Sequence, residues 1–247
     1  MAIYFLILFL GLCFGSFLSV IVFRLDNKGG IMFGRSECPG CLTRLKWYDL
    51  IPLVSFFYLG GKCRYCKKKV SIIYPIMELA TAGAFVSYSF FNGFFYLSNF
   101  YELAVIFVLL ALLFSDYIFY ILPDKLIIAG LLMSITYILF FNFSVIANGL
   151  ITGLALSSFF ATLYIISRGV WLGFGDVKLA FLIGFILGYP LGLWSIIISV
   201  WAGALWGIGL IIVNRANLKT SLPFGSFMAG VAILFIILKK YAFWFQF

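Results

Sequence analysis

Four of the eight acidic residues in this 247-residue chain fall where a carboxylate lacks ordinary solvent: Glu78, Asp116, Asp124 and Asp176. Each lies within or at the end of a long apolar stretch, where an ionisable side chain costs about 3 kcal/mol or more unless it is paired. Two carboxylates sharing a site can divide one proton, so that one activates water as a base while the other protonates the reacting group. Asp116 and Asp176 are the candidates for such a pair. Asp176 ends the run Gly173-Phe174-Gly175-Asp176, and Gly173 and Gly175 would leave room for a substrate backbone beside the acid. Lys178 and Glu78 are candidates for contact with substrate or support of the site. Asp124, directly after Pro123, reads as a turn or cap residue opening a helix. Glu102 reads as an outer-interface residue facing water. The chain contains no histidine, which excludes Ser-His and Cys-His dyads and every His-ligated metal.

A second chemistry is written in cysteine. Cys38-Pro-Gly-Cys41 and Cys63-Arg-Tyr-Cys66 are two C-x-x-C pairs separated by 21 residues, which suits a tetrahedral four-thiolate zinc site. Arg44, Lys62, Arg64 and Lys67 to Lys69 flank it and would favour the thiolates. A closed site of four sulfurs leaves no open position, so its role would be structural. A redox role and a metal-free tetrad remain the alternatives. Cys13 lies in the first apolar stretch and reads as a packing residue.

These side chains must be held by elements immersed in lipid. The chain is 65% hydrophobic and only 10% charged, more apolar surface than a soluble domain of this length can hide. Apolar stretches at 2–23, 72–91, 103–121, 125–142, 147–167, 177–189, 191–213 and 224–239 predict about eight transmembrane helices, because backbone groups in lipid must bond within their own segment. The first lacks a basic leader and a cleavage site, and is expected to be a retained span rather than a signal peptide. The fold class is thus an all-α integral membrane protein, divided into a first span (1–23), a cysteine loop (24–71) and a helical bundle (72–247).

Charge orients it. Basic residues number 17 against 8 acidic, and ten of the 17 lie between Arg24 and Lys69. This fits a cytoplasmic loop near anionic lipid and argues against nucleic acid. With that loop inside, fifteen of the 17 basic residues, all but Lys239 and Lys240, lie on the cytoplasmic side. Asp116, at the end of the third span, and Asp176, at the start of the sixth, then reach the same membrane face. A helix C-terminus near Asp116 favours its protonated form and a helix N-terminus near Asp176 its charged form, which would make Asp176 the initial base. Other readings fit the same residues: helix-end carboxylates facing headgroups, a transporter passing protons or cations along Asp116, Asp176 and Glu78, or a zinc-bearing membrane scaffold. A Ser-Lys protease built on Lys178 lacks an evident serine.

The motifs G-L-C-F-G-S-F-L-S-V-I-V-F-R-L from Gly11, G-R-S-E-C-P-G-C, L-K-W-Y-D-L-I-P-L-V-S, G-G-K-C-R-Y-C, Y-P-I-M-E-L, S-D-Y-I-F-Y-I-L-P-D-K-L, G-F-G-D-V-K-L and P-F-G-S-F-M-A-G follow in order from about residue 11 to 230. Together they resemble the bacterial type IV prepilin peptidases. That resemblance implies an inner-membrane aspartic protease of the G-x-G-D type, with Asp116 and Asp176 catalytic, that removes the basic leader of prepilins and pseudopilins at the cytoplasmic face. It also implies a zinc loop and, in many members, N-methylation of the new terminus from S-adenosylmethionine. Ser19 stands where the family usually has asparagine, and Asp26 where it has proline, near the part associated with methyl transfer.

Overall fold

The computed structural model describes residues 2–24, 36–93, 97–141, 143–213 and 222–239. Asp26, Arg215, Lys219 and Lys240 lie outside the described residues. Every expected apolar stretch is a helix: α1 (Ala2–Arg24), α3 (Ile73–Asn92), α4 (Leu97–Phe119), α5 (Asp124–Phe141), α6 (Ile146–Ser167), α7 (Phe174–Leu187), α8 (Leu191–Ile212) and α9 (Phe224–Leu238), with a short α2 (Val54–Tyr58) in the cysteine loop. Five of these, α1, α4, α5, α6 and α8, are long and apolar enough to cross a membrane, as in a multi-pass integral membrane protein. Two boundaries differ from expectation for local reasons. Helix α4 starts six residues before the apolar run, since its polar first turns still satisfy their own backbone. Helix α7 starts three residues early, because Asp176 serves its N-terminus.

The chain forms two compact units, Met1–Phe90 and Phe91–Phe247. In the first, α1 and α3 run antiparallel and meet along a seam of small residues. A Cβ on Gly15 would stand 2.5 Å from the Glu78 Cα, and one on Gly11 2.6 Å from the Ala82 Cα. Two backbones can approach this closely only where a side chain is missing, the usual device for helix pairs in lipid. Aromatic pairs extend the seam at both ends: Tyr4 with Phe90, and Phe23 with Tyr74.

In the second unit, α4 packs against α5 and α9, and α7 against α5, α6, α8 and α9. Helices α6 and α7 approach through Gly153 and Gly184, where a Cβ on Gly184 would lie 2.7 Å from the Gly153 Cα. Helices α4 and α9 are antiparallel, and polar contacts mark both ends of the pair. At one end Glu102 accepts a hydrogen bond from Tyr137 (3.1 Å) and pairs with Lys239 (3.7 Å). Glu102 is therefore held by protein partners, not left facing water as expected from its place in the sequence.

A Gly15→Ala substitution should destabilise the protein by about 1–3 kcal/mol through overpacking, read as a lower thermal midpoint in detergent. Gly83→Ala provides the control: nothing lies within 4 Å of its added Cβ, so helix propensity alone acts there and the midpoint should hold or rise.

Candidate active site and metal centre

Asp116 occupies the last turn of α4. The helix stops four residues later, where Tyr120 adopts a left-handed conformation (φ 56°) and its N–H bonds back to the Asp116 carbonyl at 2.8 Å. The carboxylate itself does not face the end of its own helix. Its Oδ2 accepts the backbone N–H of Ser226 at 2.6 Å and the Ser226 hydroxyl at 2.9 Å. Ser226 is the third residue of α9, after Phe224 and Gly225, so its N–H lacks an acceptor four residues back and has only the longer local contact to the Pro223 carbonyl, at 3.3 Å. Asp116 thus caps α9 from another helix. Gly225 makes this approach feasible: a Cβ there would lie 3.1 Å from the Asp116 Cγ.

Asp176 is the third residue of α7 and caps that helix itself. Its Oδ2 accepts the Gly173 N–H at 3.0 Å, and the Gly173 carbonyl accepts the Asp176 N–H at 3.1 Å. This is the carboxylate half of a capping box with glycine as the N-cap. Both carboxylates are buried, at 6% and 8% exposure for Asp116 and Asp176. Leu122 is wedged between the two helix starts: a Cβ on Gly175 would lie 2.9 Å from its Cβ, and one on Gly225 2.9 Å from its Cδ1. Leu122 thus packs against the first turns of both α7 and α9, the helix starts that hold the two carboxylates. The sequence argument from helix ends misses this arrangement, because each carboxylate meets the N-terminus of a helix.

The remaining candidates are placed differently. Gly175 is filled against by Leu122 and leaves no open space for a substrate backbone, whereas a Cβ at Gly173 would make only ordinary contacts, the nearest 3.7 Å away at the Asp176 Oδ2. Lys178 pairs with Asp124 at 2.6 Å and lies over the Phe174 ring, tying the start of α7 to the start of α5. Glu78 accepts the Leu53 N–H at 2.8 Å, so it anchors the cysteine loop onto α3. The buried Ser19 hydroxyl donates to the Ser16 carbonyl at 2.7 Å. Ser226, Gly225 and Leu122 were not singled out from sequence. Gly225 and Ser226 lie in the P-F-G-S motif, which carries no ionisable group, and Leu122 lies in S-D-Y-I-F-Y-I-L-P-D-K-L, where the acids draw the attention.

The four cysteine sulfurs lie within 4.8 Å of one another, and those of Cys38 and Cys66 are 3.8 Å apart. Sulfurs on a tetrahedral zinc stand about 3.8 Å apart, so the donor set fits such an ion. The two C-x-x-C segments are copies of one knuckle. Cys38 N–H bonds the Thr43 carbonyl and Leu42 N–H the Cys38 carbonyl, while Cys63 N–H bonds the Lys68 carbonyl and Lys67 N–H the Cys63 carbonyl. Leu42 and Lys67 both take positive φ, at 56° and 61°. Hydrogen bonds from the Thr43 side chain and backbone pull the Cys41 thiol down to about 6. At Cys66 a Lys68 backbone bond pulls the same way, but burial and the three neighbouring thiols outweigh it and push the group up to about 11. Thiols packed this closely resist a full set of negative charges, the electrostatic problem a divalent cation removes.

Asp49 locks the loop between the knuckles. Its side chain is 3% exposed and accepts from Arg64 Nε (2.7 Å), the Tyr65 hydroxyl (3.1 Å) and the Lys46 N–H (3.1 Å). Burial pushes its carboxyl up, but these partners outweigh burial and hold it below its ordinary value. A depressed carboxylate stabilises the fold above its unfolded pKa, about 3.9, and that contribution is lost as the pH falls through the lower folded value. At neutral pH, Asp49→Asn should cost the loop about 1–3 kcal/mol, seen as faster hydrogen exchange over residues 46–66. The difference from the native loop should vanish in strong acid.

Two family models match the chain: Bacterial Peptidase A24 N-terminal domain over residues 9–91 and Type IV leader peptidase family over residues 103–208. A prepilin leader peptidase/N-methyltransferase of Bacillus subtilis is 32% identical over 224 residues, 91% of this chain and 90% of the relative. The protein of the same name from Pseudomonas aeruginosa is 30% identical, covering 89% and 85% of the two chains, and that from Vibrio cholerae 32% identical, covering 74% and 78%. No solved structure matches with significance. These matches leave the transporter reading without support, and the chain belongs to the type IV prepilin leader peptidase family.

Proposed function

We propose that this protein is a membrane-embedded aspartic endopeptidase that removes the basic leader from type IV prepilins and pseudopilins at the cytoplasmic face of the inner membrane. The observation that carries this reading is the buried Asp116–Asp176 pair, each carboxylate fixed by helix-start donors. One acid begins ionised and the other protonated. The ionised acid takes a proton from water as its oxygen attacks the scissile carbonyl carbon, and the protonated acid gives its proton to the carbonyl oxygen. In the tetrahedral diol that results, the first acid returns its proton to the amide nitrogen as the C–N bond breaks. The second takes a proton from a hydroxyl, and both acids regain their starting states.

The charge-derived topology with eight spans puts the pair at the cytoplasmic rim, where a basic leader meets anionic headgroups. The cysteine loop lies on the same side in that topology. It exposes Trp47, Phe57 and Tyr58 together with Lys46, Lys62 and Lys67 to Lys69, a composition suited to the membrane interface. Zinc on Cys38, Cys41, Cys63 and Cys66 would hold this loop in shape and leave no ligand position for chemistry.

The relatives' names include N-methyltransferase, which would extend here to methylation of the new N-terminal amine from S-adenosylmethionine. The described residues bring together no donor set that marks a site for that cofactor, and no side chain is assigned to the transfer.

The test uses purified protein in liposomes with a synthetic prepilin. Asp116→Ala and Asp176→Ala should each slow leader removal about 100- to 10,000-fold, with helix content and metal content unchanged. Undiminished cleavage by either variant would exclude the paired-acid mechanism. Mass spectrometry of the product reads methylation in the same experiment, as a gain of one methyl group. Elemental analysis should find one zinc per chain, lost on Cys38→Ser with Cys63→Ser.

A further inference from the structure

We infer that Ser226 is a positioning residue that makes Asp116 the ionised partner of the pair, and hence the group that takes the proton from the attacking water. This rests on the peptidase reading and assigns the two roles within it. The inference comes from an asymmetry in donors. Among the described residues, the Asp116 carboxylate accepts two hydrogen bonds from protein, at 2.6 Å and 2.9 Å from the N–H and hydroxyl of Ser226. The Asp176 carboxylate accepts one, at 3.0 Å from Gly173 N–H. Donors stabilise a carboxylate over a carboxylic acid, and bonds to an ionised acceptor are roughly twice as strong as neutral ones. Both groups are similarly buried and both accept an N–H from a helix start, so neither burial nor that contact separates them. The count of donors does.

The Ser226 hydroxyl adds a second feature. It has one proton and two acceptors in reach, the Asp116 Oδ2 at 2.9 Å and the Leu113 carbonyl at 3.1 Å. A charged oxygen outcompetes a carbonyl for that proton, so the hydroxyl turns to Asp116 when Asp116 is ionised. When Asp116 is protonated the hydroxyl can return to Leu113 without being left unsatisfied. The backbone N–H is fixed by the helix start, and its other acceptor, the Pro223 carbonyl, lies farther off at 3.3 Å. This N–H keeps Oδ2 as an acceptor throughout and leaves Oδ1 as the oxygen free to take the proton from water. Asp176, with fewer donors, holds the shared proton at the outset and delivers it to the substrate carbonyl oxygen. This reverses the order expected from helix ends in the sequence.

Liposome-reconstituted enzyme and a synthetic prepilin provide the test. Ser226→Ala removes the hydroxyl and keeps the N–H; kcat should fall about 10- to 100-fold with KM within about twofold of the native value. Ser226→Thr restores a hydroxyl and should recover most of the rate. Infrared difference spectra against the Asp116→Asn/Asp176→Asn double variant give a readout independent of turnover. At neutral pH, Asp176→Asn should show no protonated-carboxyl band from Asp116, whereas Asp116→Asn should show one from Asp176. The reversed pattern would overturn the assignment. So would a Ser226→Ala enzyme as fast as the native one, or a Ser226→Thr enzyme as slow as Ser226→Ala with unchanged infrared bands. Full cleavage by the single Asn variants would instead remove the peptidase reading itself.

Discussion

A carboxylate buried in a lipid-facing bundle needs donors, and the first turn of a helix has N–H groups that need acceptors. Asp116 and the start of α9 each supply what the other lacks. The bond from Ser226 N–H to Asp116 spans 110 residues of sequence and joins the C-terminal end of α4 to the beginning of α9. Pairing of Glu102 with Lys239 closes the opposite end of the same two helices. Two polar clasps, one at each end, fix the axial register of α4 against α9. Apolar contacts alone leave that register soft, because lipid tails are as apolar as the side chains they would replace.

The second acid is brought in by small residues and one large one. Gly175 and Gly225 each precede a residue at the heart of the site, and Leu122 fills the space both of them leave. Leu122 belongs to the short connection between α4 and α5, directly before Pro123, so the turn that follows α4 also spaces the starts of α7 and α9. An added Cβ at either glycine would stand 2.9 Å from a Leu122 carbon, too close for Leu122 to stay where it is. The glycine before Asp176 is therefore better understood as a packing requirement than as an opening for substrate. Gly173 differs: its N–H holds the acid, and its missing side chain leaves the approach to Oδ2 uncrowded.

What was legible in the sequence follows from range. Spans, turns and the cysteine tetrad depend on neighbours along the chain, and each apolar stretch is a helix with ends within six residues of those expected. The two aspartates were visible because charge in lipid is rare, and the charge bias of the loops predicts one membrane face for both. The donors that fix them were not visible. Ser226 is an ordinary helix-start serine until α4 is beside it, Lys178 gives no sign of pairing with Asp124, 54 positions away, and Glu102 looks solvent-exposed until α5 and α9 arrive. Each acid lies at the helix end expected, Asp116 in the last turn of α4 and Asp176 in the first turn of α7, but a second helix start beside Asp116 was hidden for the same reason. The nearest helix terminus along the chain is legible in sequence, whereas the start of α9 that donates to Asp116 is 110 residues away.

The cysteine loop obeys a different constraint from the bundle. Among its described residues, 36–72, the only fully buried hydrophobic side chains are those of Cys38 and Cys63, so it has almost no apolar core to drive folding. A segment this short without a core needs cross-links or a metal to hold one conformation. It has three kinds of local restraint: two matched knuckles, a sulfur cluster with tetrahedral spacing, and a buried Asp49 bonded to Arg64, Tyr65 and Lys46. Asp49 connects the segment after the first knuckle to the second knuckle itself, which is the same connection a metal would make through the cysteines. The Glu78 bond to Leu53 then fixes this cross-linked loop to α3 at one point. Metal binding and loop folding should consequently be one event, while the aspartate pair depends on helix packing that the cysteines do not supply.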